Sequence, residues 1–248
     1  MKWLAIVNPA AGRMHEAERL LDQLRAVPDV FTEVARTRAP GDATRLARAA
    51  DGFDGVVAIG GDGTVAEVLQ GLDRSSKQLA VLPAGHGNCL ARDLGLARPD
   101  RALQALRQGV TRPLDLMDVV ATHDDGRRTE RICASTLALG YVTEVVMCGR
   151  QRFAALGRYA YAAAAMVVVP RRFHACVSGA AQGGTDREYT GLVINNTAHL
   201  ANFRGFPDAS IVDGRLDVME LAHGWPRQLL HNVAVLAGSR CCGPAVLR

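Results

Sequence analysis

The sequence predicts an α/β fold in two parts: an N-terminal domain built on a parallel sheet, then a β-sandwich-like domain with a helical insertion. Strand-like and helix-like segments alternate along the first third of the chain, which is typical of parallel sheets with crossover helices. Three glycine-rich loops each follow a predicted strand, so we expect them at one edge of the sheet. Beyond residue 111 short apolar segments dominate, which indicates further strands.

The elements of the first part follow in order. Helical spacing of Leu20, Leu21 and Leu24 predicts a helix over residues 14–27. Asp42 is the expected N-cap of a second helix, and a third helix follows the second glycine-rich loop. The predicted strands cover residues 3–7, 30–35, 56–59 and 79–82.

The second part is predicted to begin near residue 115, which gives domains of residues 1–115 and 116–248. The His-Asp-Asp-Gly segment at residues 123–126 predicts a hairpin turn. One long helix is expected over residues 153–169, surrounded by arginines. Packing against the sandwich is the favoured interpretation of this apolar helix, and contact with anionic lipid headgroups is the alternative.

Composition and charge narrow the function classes. The chain has 248 residues, 48% of them hydrophobic and 22% charged, as in ordinary globular proteins of one or two domains. The formal net charge of +4 suits anionic small molecules or an anionic membrane surface, and is too small to indicate a nucleic-acid partner.

The cysteine pattern and the apolar segments indicate where the protein acts. Six cysteines form no C-x-x-C pair, and no histidine cluster has zinc-site spacing. The apolar run at residues 3–7 is too short for the core of a signal peptide, and residues 159–169 fall short of the ~20 that cross a bilayer. A reduced, cytoplasmic protein is expected, with peripheral contact at the inner face of the membrane left open.

The first two glycine-rich loops have the composition of phosphate-binding turns. Gly12 would let backbone N–H groups approach an anion, although a plain strand-to-helix turn is the favoured interpretation of that loop taken alone. The second loop, residues 60–64, reads Gly-Gly-Asp-Gly-Thr and opens a helix, where phosphate binds well. Asp62 would repel phosphate unless it holds Mg²⁺; the alternative is that Asp62 only caps the helix.

Two further turns complete the set of candidate motifs. The third loop carries Gly85, His86 and Asn88, where the histidine alone would be an ordinary loop residue. Asp213-Gly214 forms a turn between apolar segments, which is either a simple hairpin or a site for a hard cation.

Taken in order, these motifs resemble the diacylglycerol kinase catalytic-domain family, which includes bacterial lipid kinases and sphingosine kinases. The resemblance runs from Ile-Val-Asn-Pro at residues 6–9 to about Leu221, and it includes Thr37 ahead of a Gly-Asp-Ala helix start. NAD kinases and phosphofructokinases carry loops similar to Gly-Gly-Asp-Gly-Thr. The Asn-Pro start and the Pro-Ala-Gly-x-Gly-Asn loop favour lipid kinases.

This resemblance implies a nucleotide-binding α/β domain, a β-sandwich domain and a lipid that enters a cleft between them. It implies an ATP- and Mg²⁺-dependent lipid kinase that transfers the γ-phosphoryl group to a hydroxyl of a diacylglycerol- or sphingosine-like lipid presented at a membrane. Mg²⁺ is implied at Asp213, with the main-chain carbonyls of Ser210 and Arg215. ATP contacts are implied at Asn8, Gly12, Thr37, Gly60, Gly61, Asp62, Gly63, Thr64, Glu67, Gly85, His86 and Asn88.

The sequence departs from the family pattern in three places. His86 stands where Thr or Ser is usual, and Cys89 stands where many bacterial members have Asp. The late Asp-Gly-Glu turn, whose acidic residue is taken as the general base, has no counterpart. Asp62 is then the candidate catalytic carboxylate.

Two other functions stay open. The chain could bind nucleotide or lipid without kinase activity, since its usual base is missing, or it could be a soluble-substrate kinase of the NAD kinase type. The sequence leaves the oligomeric state undetermined.

Overall fold

The computed structural model describes residues 1–11, 14–28, 30–85, 87–179, 182–200 and 204–221. These residues form two compact units. The first unit comprises Met1–Ser135 together with His199 and Leu200, and the second comprises Thr136–Ala198 and the described residues from Arg204 onward. Two of the predicted nucleotide contacts, Gly12 and His86, lie outside the described residues.

A four-stranded parallel sheet forms the centre of the first unit. Its strands are β1 (Lys2–Val7), β2 (Phe31–Arg36), β3 (Gly55–Gly60) and β4 (Gln78–Pro83), in the order β2-β1-β3-β4. Strand β3 is buried along its whole length, as its continuous apolar sequence indicates for a central parallel strand. The predicted α/β fold with a parallel sheet is confirmed.

Helices cover both faces of this sheet. They are α1 (Met14–Arg25), α2 (Asp42–Arg48), α3 (Asp62–Gly71), α4 (Cys89–Asp93) and α5 (Pro99–Gln108). On one face Val65, Val68 and Leu69 of α3 pack with the apolar residues of α2. On the other face the leucines of α1 pack with Ala102 of α5. Alternating side chains of each strand therefore enter two separate cores.

The start of α2 differs from the sequence prediction. Gly41, in the left-handed region at φ 86°, is the N-cap residue, and Asp42 is the first residue of the helix. The Asp42 carboxylate accepts the backbone N–H groups of Arg38 and Ala39 instead of capping the helix. These two N–H groups, together with the Arg45 guanidinium, lower the pKa of Asp42.

A β-hairpin completes the first unit. Strands β5 (Met117–Thr122) and β6 (Arg128–Cys133) pair antiparallel around the predicted turn at residues 123–126. The side chain of Gln70 in α3 holds the hairpin in place: its amide donates to the carbonyl of Ile132 at 2.6 Å and accepts the N–H of Ile132 at 3.0 Å. The structure divides the chain after Ser135, so this hairpin groups with the first unit rather than with the second part predicted from residue 116.

The second unit combines antiparallel strands with helices. Strands β7 (Thr136–Gly140), β10 (Gly191–Asn195) and β11 (Asp217–Leu221) form a sheet in the order β11-β10-β7, and β8 (Phe173–Gly179) pairs with β9 (Gln182–Tyr189). Tyr189, Leu192 and Val218 form a small core between these strands.

The helical insertion of the second unit has three pieces, and the last two replace the single helix predicted over residues 153–169. Helix α6 (Tyr141–Arg152) is followed by a 3₁₀ helix (Ala154–Tyr159) and by α7 (Ala160–Val167). Gly157 breaks the run with a φ of +54°. None of the helices in the described part of the chain has both the length and the apolar character that crossing a bilayer requires.

Candidate functional site

The loops after β1, β3 and β4 lie at the carboxyl edge of the first sheet. Because the strands are parallel, their carboxyl ends meet at one edge, which is where open α/β sheets bind ligands. Contacts between the loops show that they form a single structure.

Asn8 joins the first loop to the start of α3. Its Nδ2 donates to the Thr64 hydroxyl at 3.0 Å, and its Oδ1 accepts the N–H of Ala10 at 3.0 Å. The Thr64 side chain is buried, so this bond is shielded from water. The amide of Asn8 thereby fixes the path of the chain as it leaves β1.

Glycine is required at the end of β3. A Cβ on Gly60 would lie 2.3 Å from the Thr64 hydroxyl oxygen, so a side chain there would displace Thr64. Gly61 is the N-cap of α3, and its carbonyl accepts the N–H groups of Thr64 and Val65. A Cβ on Gly63 would meet no atom within 4 Å, so the first turn of α3 faces open space at that residue.

The third loop packs directly on the second. A Cβ on Gly85 would lie 2.5 Å from the Cα of Gly61, so the two backbones approach more closely than side chains permit. The Asn88 side chain closes this loop: its Oδ1 accepts the Gly85 N–H at 3.0 Å, and its Nδ2 donates to the Gly85 carbonyl at 2.8 Å. Asn88 itself adopts a left-handed φ of 50°, which asparagine tolerates better than most residues.

Asp62 connects the second loop to α4. It is the first residue of α3, it is half-buried, and its Oδ1 accepts the N–H of Leu90 at 3.3 Å. A carboxylate is stabilised in the first turn of a helix by the helix dipole. Asp62 stands between Gly61 and Gly63 in the chain, so its carboxylate belongs to the same turn as the glycine N–H groups.

The arrangement has the chemistry of an anion site. The N-terminus of α3 combines backbone N–H groups with the positive end of the helix dipole, which favours phosphate. Among the glycines of the second loop, Gly63 faces open space, so no neighbouring side chain covers the backbone there.

Two of the predicted contact residues serve the protein's own backbone. Glu67 Oε2 accepts the N–H groups of Gly41 at 3.0 Å and Ala43 at 3.3 Å, so it caps α2. Thr37 is half-buried after β2, and its N–H donates to the Val7 carbonyl at 2.9 Å. Nucleotide contacts at these two residues stay predictions.

The predicted metal turn lies in the second unit. Asp213 Oδ1 accepts the N–H of Arg215 at 3.1 Å, around Gly214 with its φ of +67°. Burial raises the pKa of Asp217, and the nearby carboxylates of Asp213 and Asp208 raise it further. The carboxylates of Asp208, Asp213 and Asp217 thus lie near one another at this turn. No group of three or more His, Cys, Asp or Glu side chains is arranged to hold a metal within the described ranges. The predicted Mg²⁺ site needs only one carboxylate, that of Asp213, because its other ligands are main-chain carbonyls.

One polar pair was missed by the sequence analysis. His199 Nδ1 is hydrogen-bonded to Asp93 Oδ1, at the end of α4. The carboxylate of Asp93 is nearly buried. The two residues are 106 positions apart, and neither lies in a recognisable motif, so the sequence carries no local signal for the pair.

Comparison with known proteins places the chain among lipid kinases. The family model of the diacylglycerol kinase catalytic domain matches residues 2–119. The diacylglycerol kinase of Bacillus subtilis (strain 168) is 30% identical over 227 residues, which cover 87% of this chain and 72% of that protein. A protein of Xanthomonas oryzae pv. oryzae named "Probable lipid kinase YegS-like" is 31% identical over 233 residues, with the same coverage of 87% and 72%.

A solved structure supports the fold over nearly the whole chain. A protein from Bacillus anthracis named as a diacylglycerol kinase superposes with a TM-score of 0.65 at 23% identity. The match covers 96% of this chain and 76% of that one. The glycine-rich loops, the sheet that positions them and these relatives lead to one conclusion: the chain belongs to the diacylglycerol kinase catalytic-domain family of lipid kinases.

Proposed function

We propose that this chain is an ATP- and Mg²⁺-dependent kinase that transfers the γ-phosphoryl group to a hydroxyl of a diacylglycerol- or sphingosine-like lipid. The observation that carries the proposal is the contact between the glycine-rich loops after β3 and β4, where Gly61 and Gly85 touch beside the first turn of α3. The proposal that the acceptor is a lipid is supported by the similarity of this chain to proteins named as lipid kinases.

The loops would hold the phosphates of ATP through backbone N–H groups. Loops fixed in advance suit phosphoryl transfer, since catalysis there consists mainly of positioning and electrostatic stabilisation. Asn8 and Asn88 support this role because their side chains hold the loops in shape. Gly63 supports it because the space beside it is open.

The turn at Asp213 fits Mg²⁺ by its donor chemistry. Carboxylate and carbonyl oxygens are the ligands this hard cation prefers, and Asp213 with the carbonyls of Ser210 and Arg215 would supply both kinds. Burial raises the pKa of Asp217, and the carboxylates of Asp213 and Asp208 raise it further, so two more carboxylates lie near Asp213 where a cation would bind. When bound, Mg²⁺ neutralises charge that develops on the phosphates.

In the proposed reaction the lipid hydroxyl oxygen forms a bond to the γ-phosphorus, and the bond from that phosphorus to the bridging oxygen of ADP breaks. The hydroxyl proton must pass to a base. Asp62 is the proposed acceptor, because its carboxylate lies at the start of α3 among the loop glycines.

The test is the formation of phosphorylated lipid. The purified chain is incubated with Mg-ATP and mixed micelles of diacylglycerol, monoacylglycerol or sphingosine. We expect one acceptor to give product, and we expect Asp62→Asn to reduce the rate by about 100-fold or more. Asparagine still offers an oxygen to the Leu90 N–H, so the fold should persist.

The matched control is Asp51→Asn, which changes an exposed carboxylate of the first unit outside the three loops. It should keep the full rate. Full activity of Asp62→Asn would remove Asp62 from the reaction. Binding of Mg-ATP without any lipid product would contradict the kinase proposal, and product formed from NAD in place of lipid would reassign the acceptor.

A further inference from the structure

Helix α4, which is five residues long, is held at both ends by side chains from other parts of the first unit. At its start the Leu90 N–H donates to Asp62 Oδ1, because the N-cap residue Asn88 uses its own side chain to close the third loop. At its end the Asp93 carboxylate accepts a hydrogen bond from His199 Nδ1. A helix this short gains little stability from its own backbone bonds, so contacts with the rest of the unit set its place.

Asp93 occupies a position that ordinary helix preferences disfavour. Its carboxylate lies in the last turn of α4, where the negative end of the helix dipole opposes it, and only 9% of its side chain is exposed. A carboxylate so placed lowers stability unless a donor compensates for both effects. His199, 106 positions further along the chain, supplies that donor. A local cost with a distant compensation is typical of functional sites.

The contacts form a continuous path from His199 to the candidate catalytic carboxylate. Asp93 and Leu90 are three residues apart in α4, so they lie on neighbouring turns of the same side of the helix. A displacement of α4 would therefore move the Leu90 N–H relative to Asp62. The third loop, by contrast, is closed by the hydrogen bonds of Asn88, so its shape does not require His199.

We propose that His199 is a positioning residue for phosphoryl transfer: through Asp93 it holds α4, and α4 holds the Asp62 carboxylate through the Leu90 N–H. The inference rests on the proposed function, in which Asp62 accepts the hydroxyl proton. Proton transfer requires the base within hydrogen-bond reach of the hydroxyl, and a displacement of about 1 Å can slow a reaction about 100-fold. In this role His199 acts without touching ATP or the acceptor.

The test is steady-state kinetics of the full chain with Mg-ATP and mixed micelles of diacylglycerol, monoacylglycerol or sphingosine. We expect His199→Ala to lower kcat about tenfold while KM for Mg-ATP stays within about twofold, because only the transition state requires Asp62 in place. His199→Asn should restore most of kcat, since the asparagine Nδ2 can donate to Asp93 as the imidazole Nδ1 does.

The matched control is His123→Ala. This exposed histidine is also hydrogen-bonded to a side chain, through its Nε2 and the Thr129 hydroxyl at 3.0 Å, but it lies in the turn of the β5–β6 hairpin. The variant should keep the full rate.

A double variant separates positioning from a general loss of structure. In the Asp62→Asn background His199→Ala should cause no further loss of rate, because the group that it positions is already gone. The exchange rate of the Leu90 N–H, measured by NMR, provides a readout that needs no activity. It should rise about tenfold in His199→Ala and return to the original rate in His199→Asn.

Full activity of His199→Ala would overturn the inference, as would equal fractional losses with and without the Asp62 carboxylate. Unchanged Leu90 exchange in His199→Ala, or a kcat of His199→Asn as low as that of His199→Ala, would overturn it as well. Absence of lipid product from the unchanged chain, together with faster Leu90 exchange in His199→Ala, would contradict the kinase proposal and leave the hold on α4 standing.

Discussion

At the scale of single residues, the site depends on groups that hold backbone in place. The side-chain amides of Asn8 and Asn88 form hydrogen bonds with atoms of neighbouring loop residues. Gly61 and Gly85 are in contact only because neither has a side chain. Rigid loops present their N–H groups without reorganising when an anion arrives. The residues that shape the site are thus as important as those that would touch the ligand.

Gly85 is the position where this packing is tested most simply. Gly85→Ala would place a methyl group 2.5 Å from the Gly61 Cα, so we expect the free energy of unfolding to fall by about 1–3 kcal/mol. Mg-ATP affinity should fall with it. Gly63→Ala is the control, since its methyl group meets open space within α3 and alanine favours a helix over glycine by roughly 0.5–1 kcal/mol. Urea denaturation followed by circular dichroism compares the two; equal destabilisation would contradict the close approach.

Asp73 gives a pH prediction at the same scale. Hydrogen bonds from the hydroxyls of Ser75 and Ser76 and from the Ser75 N–H lower the pKa of Asp73 from 3.8 to about 2. A lowered pKa stabilises the folded state above the unfolded value of 3.8, and this contribution is lost as the pH falls through about 2. Carboxyl NMR should show the titration near 2, and Ser75→Ala with Ser76→Ala should move it towards 3.8. An unchanged midpoint in that variant would exclude the serines as the cause.

At this scale the sequence predicted the site residues that lie in short motifs. It missed the residues whose role depends on contacts with distant parts of the chain. The Gly-Gly-Asp-Gly-Thr and Pro-Ala-Gly-x-Gly-Asn motifs located the loops because their glycines are needed locally. The role of Glu67 at the start of α2 and the His199–Asp93 pair depend on tertiary contacts. Neither leaves a periodic or short-range pattern in the chain.

At the scale of elements, the caps decide where helices begin. Helix α2 starts at Asp42 after the N-cap residue Gly41, and Glu67 of α3 accepts the N–H groups of Gly41 and Ala43. Sequence rules favour a nearby residue such as Asp42 as the cap, because they consider only local hydrogen bonds. Here a neighbouring helix supplies the acceptor, which also ties α2 to α3.

Glu67 variants separate this structural role from a nucleotide contact. Glu67→Ala should lower the free energy of unfolding by about 0.5–2 kcal/mol, since it leaves two N–H groups without their acceptor. Glu67→Gln retains an acceptor oxygen and should restore most of that stability. Thermal unfolding and calorimetry of Mg-ATP binding are measured on both variants. A loss of affinity in Glu67→Gln at unchanged stability would assign Glu67 to the nucleotide instead.

Regular elements were predicted well where their pattern is strong. The four predicted parallel strands are all present; β1 and β3 are buried apolar runs, whereas β2 has no fully buried residue and β4 is buried only at its carboxyl end. The helix predicted over residues 153–169 is instead a 3₁₀ helix followed by α7, because Gly157 takes a positive φ that breaks the run. An apolar segment rich in alanine does not reveal such a break, since glycine is also tolerated inside helices.

At the scale of the whole molecule, contacts between residues divide the chain after Ser135, whereas the composition changes earlier. The composition changes near residue 111, yet the β5–β6 hairpin packs on the first unit through Gln70 and Ile132. The hairpin has the strand pattern that is typical of the β-rich part of the sequence, although it packs against helix α3 of the α/β part. Composition therefore predicted two units, and only the contacts show which residues each contains.

The central claim is that the nucleotide binds at the carboxyl edge of the first sheet. Hydrogen–deuterium exchange of the full chain with and without Mg-ATP tests this most directly, because backbone N–H groups are the proposed ligands. We predict slower exchange in peptides that cover residues 60–64 and 84–90, and no change in the β5–β6 hairpin at residues 117–133. Protection confined to the hairpin, or saturating Mg-ATP binding that leaves both loops unprotected, would contradict the account.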